Sequence, residues 1–230
     1  MIILIEPSNY HLHQQELEGM YRLRHQVFYE QLGWQVNSQN GLEKDEYDEN
    51  HTYYLVYKDA EGKIRGCQRY VEMQHNCMFD GPFKFMLDDL QRYKKPGYWE
   101  ASRLAVDSLY TESYTPSHVK KVRSSLLAAS MQLGLEFLNN TLFLTLSYPS
   151  VAKLLSQHGL ALKTLKQGTI NGETIVVSSY PPCKESFQTL LRKAGDPQGE
   201  EPLIWYTSGV YPLFTITQNN QSASNTYLNY

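Results

Sequence analysis

Cysteine is scarce in this chain. There are three in 230 residues, Cys67, Cys77 and Cys183, with no paired spacing that would hold a metal. An odd number with no framework excludes a disulfide-built scaffold and fits a reducing, cytoplasmic setting. Long hydrophobic runs are missing too. The apolar opening, Met1 to Ile5, meets Glu6 and is too short for a signal peptide or a membrane span. Neither sign of charge dominates, with a formal net charge of −3, so nothing in the balance points to nucleic acid. No internal repeat is present. The expectation is a soluble protein with one core and a tail, and with neither nucleic acid nor membrane as a partner.

The hydrophobic spacing predicts an α+β chain. Residues 2–5 read as a strand, and about 13–31 as a helix that Gly33 ends. Residues 37–50 are polar and acidic and read as a long loop. A hairpin follows, 52–57 with 65–72, and then a strand at 99–106. Pro116 opens a helix whose stripe is Val119, Val122, Leu126, Ala129, Leu133 and Phe137. A strand at 141–147, a helix from Pro149 to Gly159, and strands at 160–166 and 174–179 complete the main body. Strands and helices do not strictly alternate. This predicts a mostly antiparallel twisted sheet with helices on its faces, an α/β sandwich. Pro181 and Pro182 break the pattern. Residues 181–217 then read as an extension of unclear role, with a short helix at 187–194 and a short strand at 203–207. Residues 218–230 are rich in Asn, Gln, Ser and Thr and read as disordered.

Chemistry concentrates between Arg24 and Arg103. Arg24 and Phe28 are four apart and share a helix face with Leu17, Tyr21, Val27 and Leu32, a stripe expected to be buried. A buried arginine stays charged and needs carboxylates, which Asp45, Asp48 and Glu100 can supply. The bland reading of the run from Glu43 to Glu49 is a solvated acidic loop. A calcium loop is a poorer explanation, because its twelve-residue ligand pattern and central glycine are absent.

The order and spacing of Arg24, Phe28, Trp34, Asp45, Asp48, Arg69, Phe83, Glu100 and Arg103 resemble the acyl-homoserine-lactone synthases, the LuxI-type autoinducer synthases. The resemblance covers residues 1–180. It implies a fold like that of the GNAT N-acyltransferases and a two-step reaction. The amine of S-adenosylmethionine, a substrate rather than a cofactor, is acylated from a thioester on acyl carrier protein. Its carboxylate then closes a lactone and expels 5′-methylthioadenosine.

By the same resemblance, Glu100 is the first candidate for the base, with Asp45 the rival and Arg24 and Arg103 completing the catalytic set. Glu100 also reads as a plain counter-ion. Simple strand alternation puts Glu100 and Arg103 on opposite faces, so both enter one site only if the strand bulges or splays. Phe28, Trp34, Asp48, Arg69 and Phe83 would hold S-adenosylmethionine, the aromatic faces attracting its sulfonium. Core packing is the better explanation of Phe28 and explains Trp34 and Phe83 equally well. Leu142, Leu144, Thr145, Ser147 and Leu155 would line the acyl chain, the two hydroxyls near its third carbon. Lys120, Lys121, Arg123 and Lys153 would form a basic patch for the acidic carrier. The segment from Arg123 to Ala128 stands where a coenzyme A pyrophosphate loop is expected and lacks its first glycine, which favours the carrier protein as donor. No metal is implied. Leu104 replaces a usual phenylalanine, and the chain is longer than the family pattern. Two alternatives remain: an N-acyl amino acid synthase of related fold, and a non-catalytic acyl-binding regulator.

Overall fold

The computed structural model describes residues 1–109, 114–139, 141–195 and 204–206; the expected tail, 218–230, lies outside them. Strand β1 (Ile2–Ile5) has no polar side chain and is buried at all four positions, because both faces of the sheet it joins are covered. Helix α1 (Gln14–Arg24) continues as a wider π-helical segment through Gln31. A two-stranded hairpin, β2 (Ser38–Gln39) and β3 (Leu42–Glu43), then turns at Asn40-Gly41, both at positive φ. Next come β4 (Thr52–Lys58), β5 (Ile64–Glu72) and β6 (Tyr98–Val106). Helix α2 (Pro116–Gln132), β7 (Leu142–Ser147), α3 (Pro149–His158), β8 (Lys163–Ile170) and β9 (Glu173–Tyr180) follow. Helix α4 (Lys184–Ala194) and β10 (Ile204–Tyr206) end the described chain.

The main sheet runs in the order β10-β1-β4-β5-β6-β7-β9-β8. Neighbours are antiparallel except β10 with β1 and β6 with β7. The β6–β7 pair positions the site. It is laddered only from Tyr98 to Glu100 against Leu142 to Leu144, although both strands continue. Beyond Glu100 they part, opening a wedge in the middle of the sheet.

Alternation along the strands sends side chains to two packed faces. On one face, Leu17, Met20 and Leu23 of α1 meet Ile3, Ile5, Val56 and Cys67. On the other, Leu126 of α2 and Leu190 of α4 meet Leu4, Leu55, Tyr70 and Phe143. Each fully buried Leu contributes roughly 1.5–3 kcal/mol. Gly66 lets α2 come close, since a Cβ there would stand 2.7 Å from Leu126 and 2.8 Å from Val122. A third cluster gathers Met73, Phe79 and Met86 from the irregular segment after β5 over Val71, Leu144 and Val177.

Three expectations change. The loop expected at 37–50 contains the β2–β3 hairpin. The strands expected at 160–166 and 174–179 pair as β8 and β9 across Asn171-Gly172, again at positive φ. Leu32, expected to be buried, is 52% exposed. The π segment, whose last bond runs from the Leu32 amide to the Val27 carbonyl, widens the turn and rotates Leu32 off the inner stripe. Within 181–217, Leu190, Leu191 and Ile204 are buried in the α2-side core.

Candidate active site

Seven ionic side chains from five segments meet on the α1 face of the sheet. Arg24 is fully buried at the end of α1 and grips Asp48 with two parallel bonds of 2.7 and 2.8 Å. Its Nε donates to Glu43 Oε2 at 2.5 Å. Arg103 closes the ring, donating to Glu43 Oε1 at 3.1 Å and to Asp45 Oδ2 at 2.7 Å. Arg69, also fully buried, donates to Asp45 Oδ1 at 2.5 Å and to the Ser102 hydroxyl at 3.1 Å. Asp48 takes further bonds from Tyr54 Oη and the Asp45 amide. Burial alone would raise the Asp48 carboxyl, but Arg24 and Arg69 hold it well below the usual carboxylate range.

The cluster sets three guanidiniums against four carboxylates, and Glu100 is the one left with a loose oxygen. Glu100 is 1% exposed. Its Oε2 accepts from the Met78 amide at 2.8 Å. Its Oε1 has no hydrogen bond of ordinary geometry, and neither has Arg69 Nη2, which stands 3.9 Å away. Burial pushes this carboxyl above its ordinary 4.5, and the opposing pull of Arg69, Ser102 and the Met78 amide does not cancel it. A buried carboxyl whose proton affinity is raised, with one oxygen free beside a guanidinium donor, is suited to taking a proton from a bound amine.

Glu100 and Arg103 reach one site because β6 bulges. Arg69 pairs with Ser102 and Cys67 with Ala105, so Gln68 alone faces both Arg103 and Leu104. Arg103 sits at φ +52, the left-handed region, and this turns its side chain back towards Glu43 and Asp45. Four contributors had no role in the sequence reading: Glu43 and Ser102, which flank its chosen residues, and Tyr54 and the Met78 amide. The Asn40-Gly41 turn could have exposed Glu43, since it marks a hairpin whose second strand turns that residue inward.

The aromatic pair is built by the end of the π segment. Gly33, at φ +64, lets the Trp34 amide return to the Phe28 carbonyl at 2.9 Å. The two rings then stack, with centroids 5.0 Å apart and planes 14° apart. Arg103 lies over the Phe28 ring at 5.4 Å, so Phe28 is buried packing and Trp34 presents the accessible ring. Tyr148 meets Trp34 edge-on. Phe83 stands apart from this pair, half-buried against the Met73–Phe79–Met86 cluster.

The expected acyl-chain residues divide between two faces. Leu142 and Leu144 pack with the Met73–Phe79–Met86 cluster, whereas Leu155 packs with Phe143 on the α2 side. Alternation places Thr145 and Ser147 on the Phe143 face. The Ser147 hydroxyl is buried without a hydrogen bond. The basic residues divide too. Lys120 and Arg123 act with Lys193 on His158 of α3, and Lys153 is exposed on that helix. Lys121 lies on another side of α2, in a cavity of about 660 Å³ with Tyr57, Arg65 and His118. Arg123 to Ala128 falls inside α2 rather than at its start. Amides that far into a helix bond within it, so the missing glycine there carries no information about the donor.

Comparison with known proteins agrees with this geometry. The family model described as autoinducer synthase matches residues 8–191. An acyl-homoserine-lactone synthase of Vibrio anguillarum is 27% identical over 177 residues, covering 76% of this chain and 90% of that protein. A structure of BjaI, a CoA-dependent acyl-homoserine lactone synthase, with S-adenosylmethionine and isopentyl-CoA, superposes with a TM-score of 0.76 at 20% identity. It covers 90% of this chain and 93% of that one. An acyl-CoA N-acyltransferase from Pseudomonas aeruginosa shares the architecture at a TM-score of 0.52 and 12% identity, over 78% of this chain and 99% of that one. The fold is that of the GNAT-like N-acyltransferases. With the family model spanning nearly the whole described chain, the protein belongs to the autoinducer synthase family.

Proposed function

We propose that this chain makes an N-acyl-homoserine lactone from S-adenosylmethionine and an acyl chain carried on acyl carrier protein, with Glu100 as the base. The carrying observation is the Glu100 carboxylate, buried and anchored through Oε2, with Oε1 free 3.9 Å from Arg69 Nη2. The substrate amine sits against Oε1, and its positive charge offsets the carboxylate in excess over the three arginines. Glu100 takes one proton from the ammonium, the neutral amine attacks the thioester carbonyl, and the C–S bond breaks as the carrier thiolate leaves and takes up the second amine proton. Trp34 stacks on the sulfonium-bearing nucleoside. The acyl chain enters the wedge between β6 and β7, where Ser147 offers its unpaired hydroxyl to an oxygen on the chain. Asp45 is tied to both Arg69 and Arg103, which disfavours it as the base. Lactone closure needs little acid–base help, because the sulfonium already leaves well and the site has only to bend the substrate.

Glu100→Gln keeps the shape and an acceptor for the Met78 amide but cannot take a proton. Turnover is expected to fall by about 10²-fold or more, with the melting temperature at neutral pH held or raised. A stability loss on the order of 3–5 kcal/mol, with turnover falling only in step with the folded fraction, would make Glu100 a counter-ion instead.

A further inference from the structure

The segment between β5 and β6 carries the Met78 amide that holds Glu100, yet it has no ladder to fix it. Beside its own turn bonds and the buried Met73, Phe79 and Met86, a pair of residues outside the ionic cluster ties it down. Consecutive amides in this segment point at different carboxylates. The Cys77 amide donates to Asp80 Oδ2 at 3.0 Å, and the Met78 amide donates to Glu100 Oε2 at 2.8 Å. Asp80 is in turn ion-paired to Lys94, which lies at the far end of the segment. The Lys94 ammonium also donates to the His75 carbonyl at 2.9 Å and lies 3.9 Å from Cys77 Sγ. Its three protons therefore meet three acceptors on one turn. The Cys77 thiol, pushed up to about 12 by burial, stays neutral beside Asp80.

We propose that Asp80 and Lys94 are positioning residues for Glu100: they lock the Cys77–Met78 turn so that the Met78 amide holds Oε2 and leaves Oε1 towards the substrate amine. The inference rests on Glu100 being the base. The titratable and polar groups that face Glu100 are Arg69, Asp45, Tyr47, Cys77 and the Ser102 hydroxyl. Of these, Cys77 touches the clip, through Asp80 and Lys94, and it stays a neutral thiol. The loss is the Met78 amide, which favours the ionised carboxylate.

The test is the pH profile of turnover for Lys94→Met and for the milder Asp80→Asn, which still offers an acceptor to the Cys77 amide. The acid limb is expected to move up by about one pH unit. Turnover at pH values below the wild-type limb then drops about tenfold and recovers at high pH. KM for S-adenosylmethionine should change by less than about twofold. Lys94→Arg, which keeps charge and reach, should restore the wild-type limb. A uniform loss of turnover at all pH values, or no change in either variant, overturns the positioning role while a wild-type acid limb leaves the base intact. A wild type with no acid limb contradicts Glu100 as the base, and the clip with it.

Discussion

Asp48 and Glu100 belong to one ionic cluster but respond to pH in opposite ways. Asp48 is gripped by Arg24 and Arg69, so its carboxyl is depressed. It adds stability above the ordinary 3.8 of an aspartate, and this is lost as pH falls below that value. Glu100 is buried with less compensation, so its carboxyl is raised. Its contribution is complete below 4.5 and is lost as pH rises through the raised value. Glu100 should therefore add a decline in stability to denaturant from the mildly acidic side towards neutral pH. Glu100→Gln should flatten that decline and leave in place the acid-side loss, which Asp48 shares with Glu16, Asp59, Asp80 and Asp107. A neutral-side decline that persists in the variant would place its origin elsewhere. Most of this cluster was legible in the sequence, because an arginine on an apolar helix stripe must find carboxylates. Glu43 was not, since an acidic residue in an acidic run has the same composition whether it faces solvent or Arg24.

At the level of elements, the sequence read most helices and strands to within a few residues, and failed where a ladder or turn departs from its regular period. The π segment after α1 exposes Leu32, and no residue type marks it. The β6 bulge is similar. It puts an arginine, not a glycine, in the left-handed region, so plain alternation from Glu100 puts Arg103 on the opposite face, and the bulge that a shared site requires carries no residue signal of its own. This gives a reversal of rank that can be measured. Arg103→Val and Arg103→Gly both remove the guanidinium. In a regular strand Val is the more stable by up to about 1 kcal/mol. In the left-handed region a residue bearing Cβ costs roughly 1–2 kcal/mol, so Gly should equal or exceed Val here. Urea midpoints of the two variants decide it, and a clear advantage for Val would contradict the bulge.

For the whole molecule, the parting of β6 and β7 is what turns a packed sandwich into a site. One side of the wedge presents the ionic cluster and Trp34, and the strand beyond it presents Ser147. The sheet's antiparallel character was legible because hairpin lengths and turn residues are local signals. The wedge was not, because two strands parting after three paired positions is decided by packing across the sheet. No helix among the described residues is long and apolar enough to cross a membrane. A carrier-protein donor, as proposed, would dock against the basic side chains of α2 and α4 near His158, Lys120, Arg123 and Lys193. The most direct measurement is mass spectrometry of the products made by the purified chain from S-adenosylmethionine with acyl–acyl carrier protein, or with the matching acyl-CoA at equal concentration. The expected result is N-acyl-homoserine lactone and 5′-methylthioadenosine in equal amounts, formed faster from the carrier protein. An acylated amine without methylthioadenosine, or no acyl transfer from either donor, would contradict it.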